Sequence, residues 1–560
     1  MKISTALFLV VMIPAATLFA QGPRGGGRPG GGFPGGQPGG RPGSGFPGGQ
    51  PGGRPGRGFH GGQPGGRLGA PAPQPERRLG GAVVIPGPGR PVEPRPGFRP
   101  GPGPAPVIVV PRTVEIVTPA EVVQPVVITT QPETTVEVKT EEETKEKAIP
   151  MKAGYYQLVL LEDTSEEATP AICYKAGEDM KFTFSVNKLV GNPVEGKLFL
   201  KWKRSGDDGR TEGGRTEISE DSAVSLVTSI DRPGFVRIEA SLEDEAGNDL
   251  KSVFQGGAGA ELEKLTQAVP EPEDFDEYWA KQKKLLEGVA VLPEIKKIKA
   301  KRDGFDAYEV KVPCAGPRPV TGYLLIPSGA SVHSLPAKVH FQAYGVRDQA
   351  VPDGIEGMIY FDVNAHGIEL SQPKSYYDRI RAELGHYAYD NTENKTPDTS
   401  YFRYMAIRAV RAFDFIKTLP QWNGKDLCVT GYSQGGLQAA WAAGLVPEIT
   451  HAEIGMPWCT DIGCEKAGRQ RGTCPEYQPG LDYFDPVNHI KRAPETCLVD
   501  IVRAGLGDTV SQPSGSTVLF NNAVGPKRIV FYQNCAHEEP DNELSAAIIM
   551  RSEDWQEAVK

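Results

Sequence analysis

Between residues 307 and 533 short apolar segments alternate with amphipathic ones, and this alternation constrains the chain more than any other feature. Strands are predicted at 307–313, 319–326, 337–343, 358–363, 427–431, 452–456, 497–504 and 527–533, with helices notably over 400–418 and 435–445. Near-continuous apolar strands separated by amphipathic helices imply an α/β unit whose mostly parallel sheet is covered on both faces. A further helix is predicted just ahead of it, where Asp274 and Glu277 have capping-box spacing. At roughly 270 residues this unit is long enough for a substantial core.

Upstream the period changes. From Gly154 to about Asn248 apolar residues recur every second position: Phe182, Phe184 and Val186; Leu198, Leu200 and Trp202; Val236, Ile238, Ala240 and Leu242. Turn-rich breaks such as Pro233-Gly234 separate them, which predicts an all-β, immunoglobulin-like sandwich. The phase of Trp202 with Leu198 and Leu200 assigns it to the core rather than to a sugar-stacking surface. No catalytic constellation is visible there.

The chain's 68 Gly and 51 Pro are concentrated before residue 105, where three near-copies of a 13-residue unit begin at Gly32, Gly45 and Gly58. Glycine does not fall at every third position, so a collagen helix is excluded. Such a stretch buries too little apolar surface to offset its conformational entropy, and disorder is expected. Residues 22–112 hold twelve arginines against Glu76 and Glu93, a net of about +10, while the whole chain is −9. The strongly acidic remainder argues against a nucleic-acid partner. The basic tail is read as a solvated spacer, with adhesion to anionic wall or matrix polymer as its competing role. Residues 1–20 have Lys2 and an apolar run from Ala6 to Ala20, the pattern of a signal peptide too short to span a membrane. Secreted, periplasmic or cell-surface placement is therefore expected. Disulfides are then permissible among Cys173, Cys314, Cys428, Cys459, Cys464, Cys474, Cys497 and Cys535. Cys459, Cys464 and Cys474 are the first candidates for a loop staple, Cys428 and Cys497 are expected as buried small hydrophobes, and the spacing is wrong for zinc.

The chemistry centres on Gly431-Tyr432-Ser433-Gln434-Gly435-Gly436, between a predicted strand and a predicted helix. Small residues are required where a strand turns sharply into a helix and pushes a serine above the sheet edge, and the helix N-terminus offers N–H groups to an oxyanion. A serine hydroxyl needs a histidine base held by a carboxylate. In the Ser, acid, His order of an α/β-hydrolase, His537 follows the last strong strand through a short loop, whereas His451 comes too soon and His489 precedes the acid-bearing strand. Asp508, in the loop after the 497–504 strand, is the acid, with Asp500 inside that strand as its competitor. The backbone N–H groups of Gln434 and Tyr344 are assigned to the oxyanion hole. Neither a cofactor nor a metal is expected.

Pro272-Glu273-Asp274-Phe275-Asp276-Glu277-Tyr278-Trp279, the Gly-x-Ser-Gln-Gly-Gly segment, Asp508 and His537-Glu538 together resemble the acetyl xylan esterase and cephalosporin-C deacetylase family of α/β-hydrolases, over about residues 270–545. The resemblance implies removal of acetyl groups from acetylated xylose, xylo-oligosaccharides and related small esters by a metal-independent acyl-enzyme route. One segment departs from the family pattern: Asn364-Ala365-His366-Gly367 stands near where Arg-Gly-Gln is usual, which puts the oligomer arrangement and pocket in question. The chain is thus read as a signal peptide (1–20), disordered Gly/Pro/Arg-rich repeats (21–112), an acidic Val/Thr/Pro linker (113–150), a β-sandwich (151–258) and an α/β-hydrolase (259–560). An acetylated carbohydrate is the expected substrate. Another hydrolase of this fold, such as a peptidase, and an inactive wall-bound adhesion protein are the alternatives.

Overall fold

The computed structural model describes residues 156–161, 169–189, 196–541 and 544–554. The signal peptide, repeats and acidic linker lie outside the described residues.

Among the described residues the period-two segment forms seven strands: β1 Tyr156–Leu161, β2 Met180–Lys188, β3 Leu198–Gly206, β4 Thr211–Ile218, β5 Val224–Thr228, β6 Gly234–Glu243 and β7 Asp249–Ala260. They make two antiparallel sheets, ordered β1-β2-β5 and β4-β3-β6-β7. The inward faces of both, including Phe182, Phe184, Val186, Leu200, Val236, Ile238 and Leu242, join in one apolar core, with Trp202 half-buried against it.

The second region holds β8 Glu294–Ile298, β9 Phe305–Val312, β10 Val320–Pro327, β11 Leu335–Phe341, β12 Ile359–Val363, β13 Trp422–Tyr432, β14 His451–Gly455, β15 Leu498–Gly505, β16 Lys527–Tyr532 and β17 Ala547–Arg551. They form one sheet in the order β17-β16-β15-β14-β13-β11-β12-β10-β9-β8. The six central strands from β16 to β12 run parallel, and the pairings outside them are antiparallel. Its helices are α1 Phe275–Glu287, α2 Lys374–Leu384, α3 Phe402–Ile416, α4 Gln434–Leu445, α5 Pro486–Ile490 and α6 Pro513–Asn522. Asp274 flanks α1 without a side-chain cap, and its carboxylate instead accepts from the Tyr483 hydroxyl, so the expected capping box does not form.

The two faces of the sheet are covered differently among the described residues. Helices α1, α3, α4, α5 and α6 pack in series, and α3, α4 and α6 cover the face that carries Ala337, Val339, Phe341, Leu427, Val429, Ala452, Ile454, Val499, Ile501 and Ile529. The opposite face presents Lys338, His340, His451, Glu453 and Arg528, all only half-buried, together with buried Asp362 and Asp500. Residues 342–358, between β11 and β12, contain no helix, and from them Val351 packs on the cluster of Phe305, Ala307, Tyr323, Leu325 and Leu370 at the β9–β10 end of that face. The charges are matched within the face: His340 Nδ1 lies 2.6 Å from Asp362, Lys338 Nζ donates to both Glu453 oxygens at 2.8 Å, and Arg528 pairs with Asp500. Among the described residues no helix is long and apolar enough to cross a membrane.

Candidate active site

Residue Ser433 stands between β13 and α4 with φ 57° and ψ −119°, a strained conformation for a residue with a Cβ. The neighbouring glycines make this turn possible. A Cβ on Gly431 would lie 2.3 Å from the Gly435 carbonyl oxygen, and one on Gly435 would lie 2.1 Å from that of Phe341. The Ser433 main chain is tied down on both sides: its N–H donates to the Gly455 carbonyl at 2.9 Å, and its own carbonyl accepts from Trp458 N–H at 3.1 Å.

The Ser433 hydroxyl donates to His537 Nε2 at 2.9 Å, and His537 Nδ1–H donates to Asp508 Oδ2 at 2.8 Å. Asp508 is fully buried, and its other oxygen accepts from the N–H groups of Val510 and Ser511 at 2.7 and 2.9 Å. That carboxylate therefore closes its own turn as well as holding the imidazole, whereas α6 begins only at Pro513. The turns that carry Asp508 and His537 also interlock, because Gly507 N–H donates to the Cys535 carbonyl at 2.9 Å. The structure thus brings Ser433, His537 and Asp508 together at the C-terminal edge of the parallel strands.

Asp500 is elsewhere, on the polar face, where it accepts from Arg528 Nε at 2.9 Å. His451 lies at the start of β14, at the other end of the sheet from Ser433, and burial pushes its imidazole below the ordinary range. His489 is wholly buried among Phe275, Trp279 and Trp441, donates from Nε2 to the Tyr483 carbonyl at 3.0 Å, and is pushed down to about 3 by desolvation.

Gln434 opens α4, so its N–H has no acceptor within the helix and lies beside the serine. Its side chain is buried and accepts from the Tyr387 hydroxyl, a phenol that burial pushes well above its usual range and so keeps as a neutral donor. Tyr344 lies in the loop after β11; its ring stacks on Tyr387 at 5.0 Å and meets Trp458 edge-on at 5.6 Å. The departing segment lies behind this cluster. His366 is fully buried, hydrogen-bonded through Nδ1 to the Tyr401 hydroxyl at 2.8 Å, pressed edge-on against Tyr387 at 4.5 Å, and pushed down to about 3 by desolvation. Gly367 has φ 62°, and a Cβ there would meet the Pro319 carbonyl at 2.0 Å. This segment supports the serine turn through Tyr387 and Gln434. Tyr387 itself carried no signal in the sequence, since it lies in an irregular stretch with no motif.

All eight cysteines are free thiols, and Cys459, Cys464 and Cys474 line one small cavity without a bond between them. Cys428 and Cys497 are buried in their strands. Cys428, His451 and Glu453 bring three ligand atoms within 4.8 Å of one another on the polar face, but the Lys338 ammonium already occupies the Glu453 carboxylate.

Residues 259–463, which include Ser433, match the family model described as acetyl xylan esterase (AXE1). The acetyl esterase Axe7A of Xylanibacter ruminicola is 24% identical over 343 residues, 57% of this chain and 74% of that protein. Among solved structures, an acetyl xylan esterase from Paenibacillus sp. R4 is 22% identical with a TM-score of 0.43, covering 50% of this chain and 94% of that one. Acetyl xylan esterase 1 from Thermoanaerobacterium sp. JW/SL YS485 is 21% identical with a TM-score of 0.39, covering 50% and 93%.

Proposed function

Because this chain belongs to the acetyl xylan esterase family and is a carboxylic ester hydrolase, we propose that it is an exported serine esterase that deacetylates acetylated xylan, xylo-oligosaccharides or related small carbohydrate esters. The observation that carries the mechanism is the pair of hydrogen bonds joining Ser433, His537 and Asp508 at 2.9 and 2.8 Å.

In this reading Ser433 Oγ attacks the acetyl carbonyl carbon while its proton passes to His537 Nε2. Asp508 holds the Nδ1–H tautomer and stabilises the imidazolium that forms. The N–H groups of Gln434 and Tyr344 receive the developing oxyanion. His537 then protonates the leaving sugar oxygen, leaving an acetyl-serine. A water deprotonated by His537 attacks that ester, acetate departs, and the serine regains its proton. Residues 1–20 serve as the export signal, residues 21–150 as a basic and then acidic spacer, and the sandwich is read as immunoglobulin-like.

The test is acetate release by the purified chain from acetylated xylan, xylo-oligosaccharides and glucose pentaacetate, run beside peptide substrates. Acetate release with no peptide cleavage supports the reading. Peptide cleavage without acetate release overturns the carbohydrate assignment.

A further inference from the structure

Three segments around the reactive serine end against one edge of the N-terminal sandwich. Arg237 lies on β6 between Val236 and Ile238, which face the sandwich core, and its own side chain leaves that core. Its Nη1 donates to the Asp508 carbonyl oxygen at 3.3 Å and to Gln512 Oε1, and its Nη2 donates to Gln470 Oε1 at 2.6 Å and Ser205 Oγ at 3.0 Å. On adjacent β7, Gln255 N–H donates to Asn534 Oδ1 at 3.1 Å, three residues before His537. Gly507 is pressed so close to β7 that a Cβ on it would lie 2.4 Å from the Gln255 carbonyl oxygen. Arg232, in the turn before β6, donates to the Gly468 carbonyl at 2.9 Å. The acid turn, the base turn and the segment around Gly468 and Gln470 are all held by the same edge.

We propose that Arg237 is a positioning residue for ester hydrolysis, and that the sandwich is a structural part of the active site rather than a separate binding module. The inference rests on the reading of Ser433, His537 and Asp508 as the catalytic groups. A guanidinium is required because its planar fork reaches the Asp508 carbonyl and Gln512 with one nitrogen and Gln470 with another, which a single ammonium cannot do. Asp508 aligns His537 through one 2.8 Å bond, so a shift of its turn is transmitted directly to the base. Misplacement of a catalytic group by about 1 Å costs up to roughly 100-fold in rate.

The experiment uses the full chain, p-nitrophenyl acetate, and a serine-directed organophosphonate that titrates reactive sites. Arg237→Met is expected to lower kcat per titrated serine by about tenfold or more with KM changed less than about twofold, and Arg237→Lys to fall between it and the unaltered chain. Ile238→Val, one residue along β6 and facing the sandwich core, is the control for simple loss of stability. It is expected to lower Tm while leaving kcat per titrated serine unaltered. A folded Arg237→Met chain with undiminished kcat per titrated serine overturns the proposal; should that variant fail to fold, an undiminished Arg237→Lys does the same. Ser433→Ala separates the two readings. If it is inactive while Arg237→Met is fully active, only the positioning role falls. If it turns over normally, the serine mechanism falls first.

Discussion

A methyl group on Gly435 would sit 2.1 Å from the carbonyl oxygen of Phe341, so the first turn of α4 rides directly on the backbone of β11. That contact sets the height of Ser433 above the sheet. Gly435→Ala must push α4 away from β11, and overpacking of this kind costs about 1–3 kcal/mol. Thermal unfolding should shift to lower temperature and turnover of p-nitrophenyl acetate per milligram should drop. An unaltered Tm would mean that the helix yields without strain and that the glycine is not sterically required.

Ser433→Ala changes the chemistry without the packing. Alanine carries the same Cβ at φ 57°, so the strain of the turn is retained and Tm should be little altered. Acetyl ester hydrolysis should vanish into the background. Near-normal turnover by a folded Ser433→Ala chain would remove the nucleophile assignment.

The carboxylates of Asp508 and Asp500 are distinguished by partner. Asp508→Asn leaves the turn but presents His537 Nδ1 with the wrong group, and a loss of about 10³–10⁴ in kcat is expected by analogy with other serine triads. Asp500→Asn leaves Arg528 without its carboxylate on the polar face and should act on Tm, with kcat nearly unchanged. Steady-state kinetics and thermal unfolding of both variants check this, and the reverse pattern would move the acid to Asp500.

How much of this was legible in the sequence depended on whether the signal was local. The serine turn could be read because strand, glycine pair and helix are adjacent, and steric crowding dictates each of those residues. Asp508 and His537 could be placed in loops after strands because the chain order of the fold fixes where loops emerge. By contrast, Arg237 and Asp508 are 271 positions apart, one on a strand of the sandwich and the other in the loop after β15, so no periodicity links them. The polar strip on β11 was legible in the sequence: Ala337-Lys338-Val339-His340-Phe341 alternates cleanly, the mark of a strand with one polar side. Strand β8, Glu294-Ile295-Lys296-Lys297-Ile298, escaped because an exposed edge strand offers too few apolar residues to stand out.

Acid should unfold the chain partly through His489. Its imidazole, pushed down to about 3 by burial, is neutral in the folded chain over the range in which the unfolded chain, near 6.5, takes up a proton. Stability from this group is fully present above about pH 6.5 and is lost as pH falls toward 3, at about 1.4 kcal/mol per pH unit. His489→Gln keeps a donor for the Tyr483 carbonyl and removes the titration. Urea unfolding between pH 6.5 and 4.5 should therefore show a shallower loss for His489→Gln, even though its stability at neutral pH is lower. Parallel pH dependences for the two chains would show that His489 takes up its proton without unfolding.

Acyl-chain length probes the site from the substrate side. Trp458 is bonded through its backbone to Ser433, and its ring meets Tyr344, which stacks on Tyr387, so three aromatic side chains are fixed beside Ser433. Tyr387 is in turn bonded to Gln434 and pressed on by the buried His366, which leaves this wall little freedom to retreat from a larger acyl group. Rejection by shape amounts to about 1–3 kcal/mol per methylene, or roughly 10–200-fold. With p-nitrophenol as the common leaving group, kcat/KM is expected to fall steeply from acetate through propionate to butyrate, and octanoate should be nearly inert. Tyr344→Ala should flatten that series by raising kcat/KM for butyrate relative to acetate, because it removes one side of the wall while retaining the backbone N–H assigned to the oxyanion. A profile that is flat or rises with chain length in the unaltered chain would remove the deacetylase assignment and leave the serine, histidine and aspartate where they are.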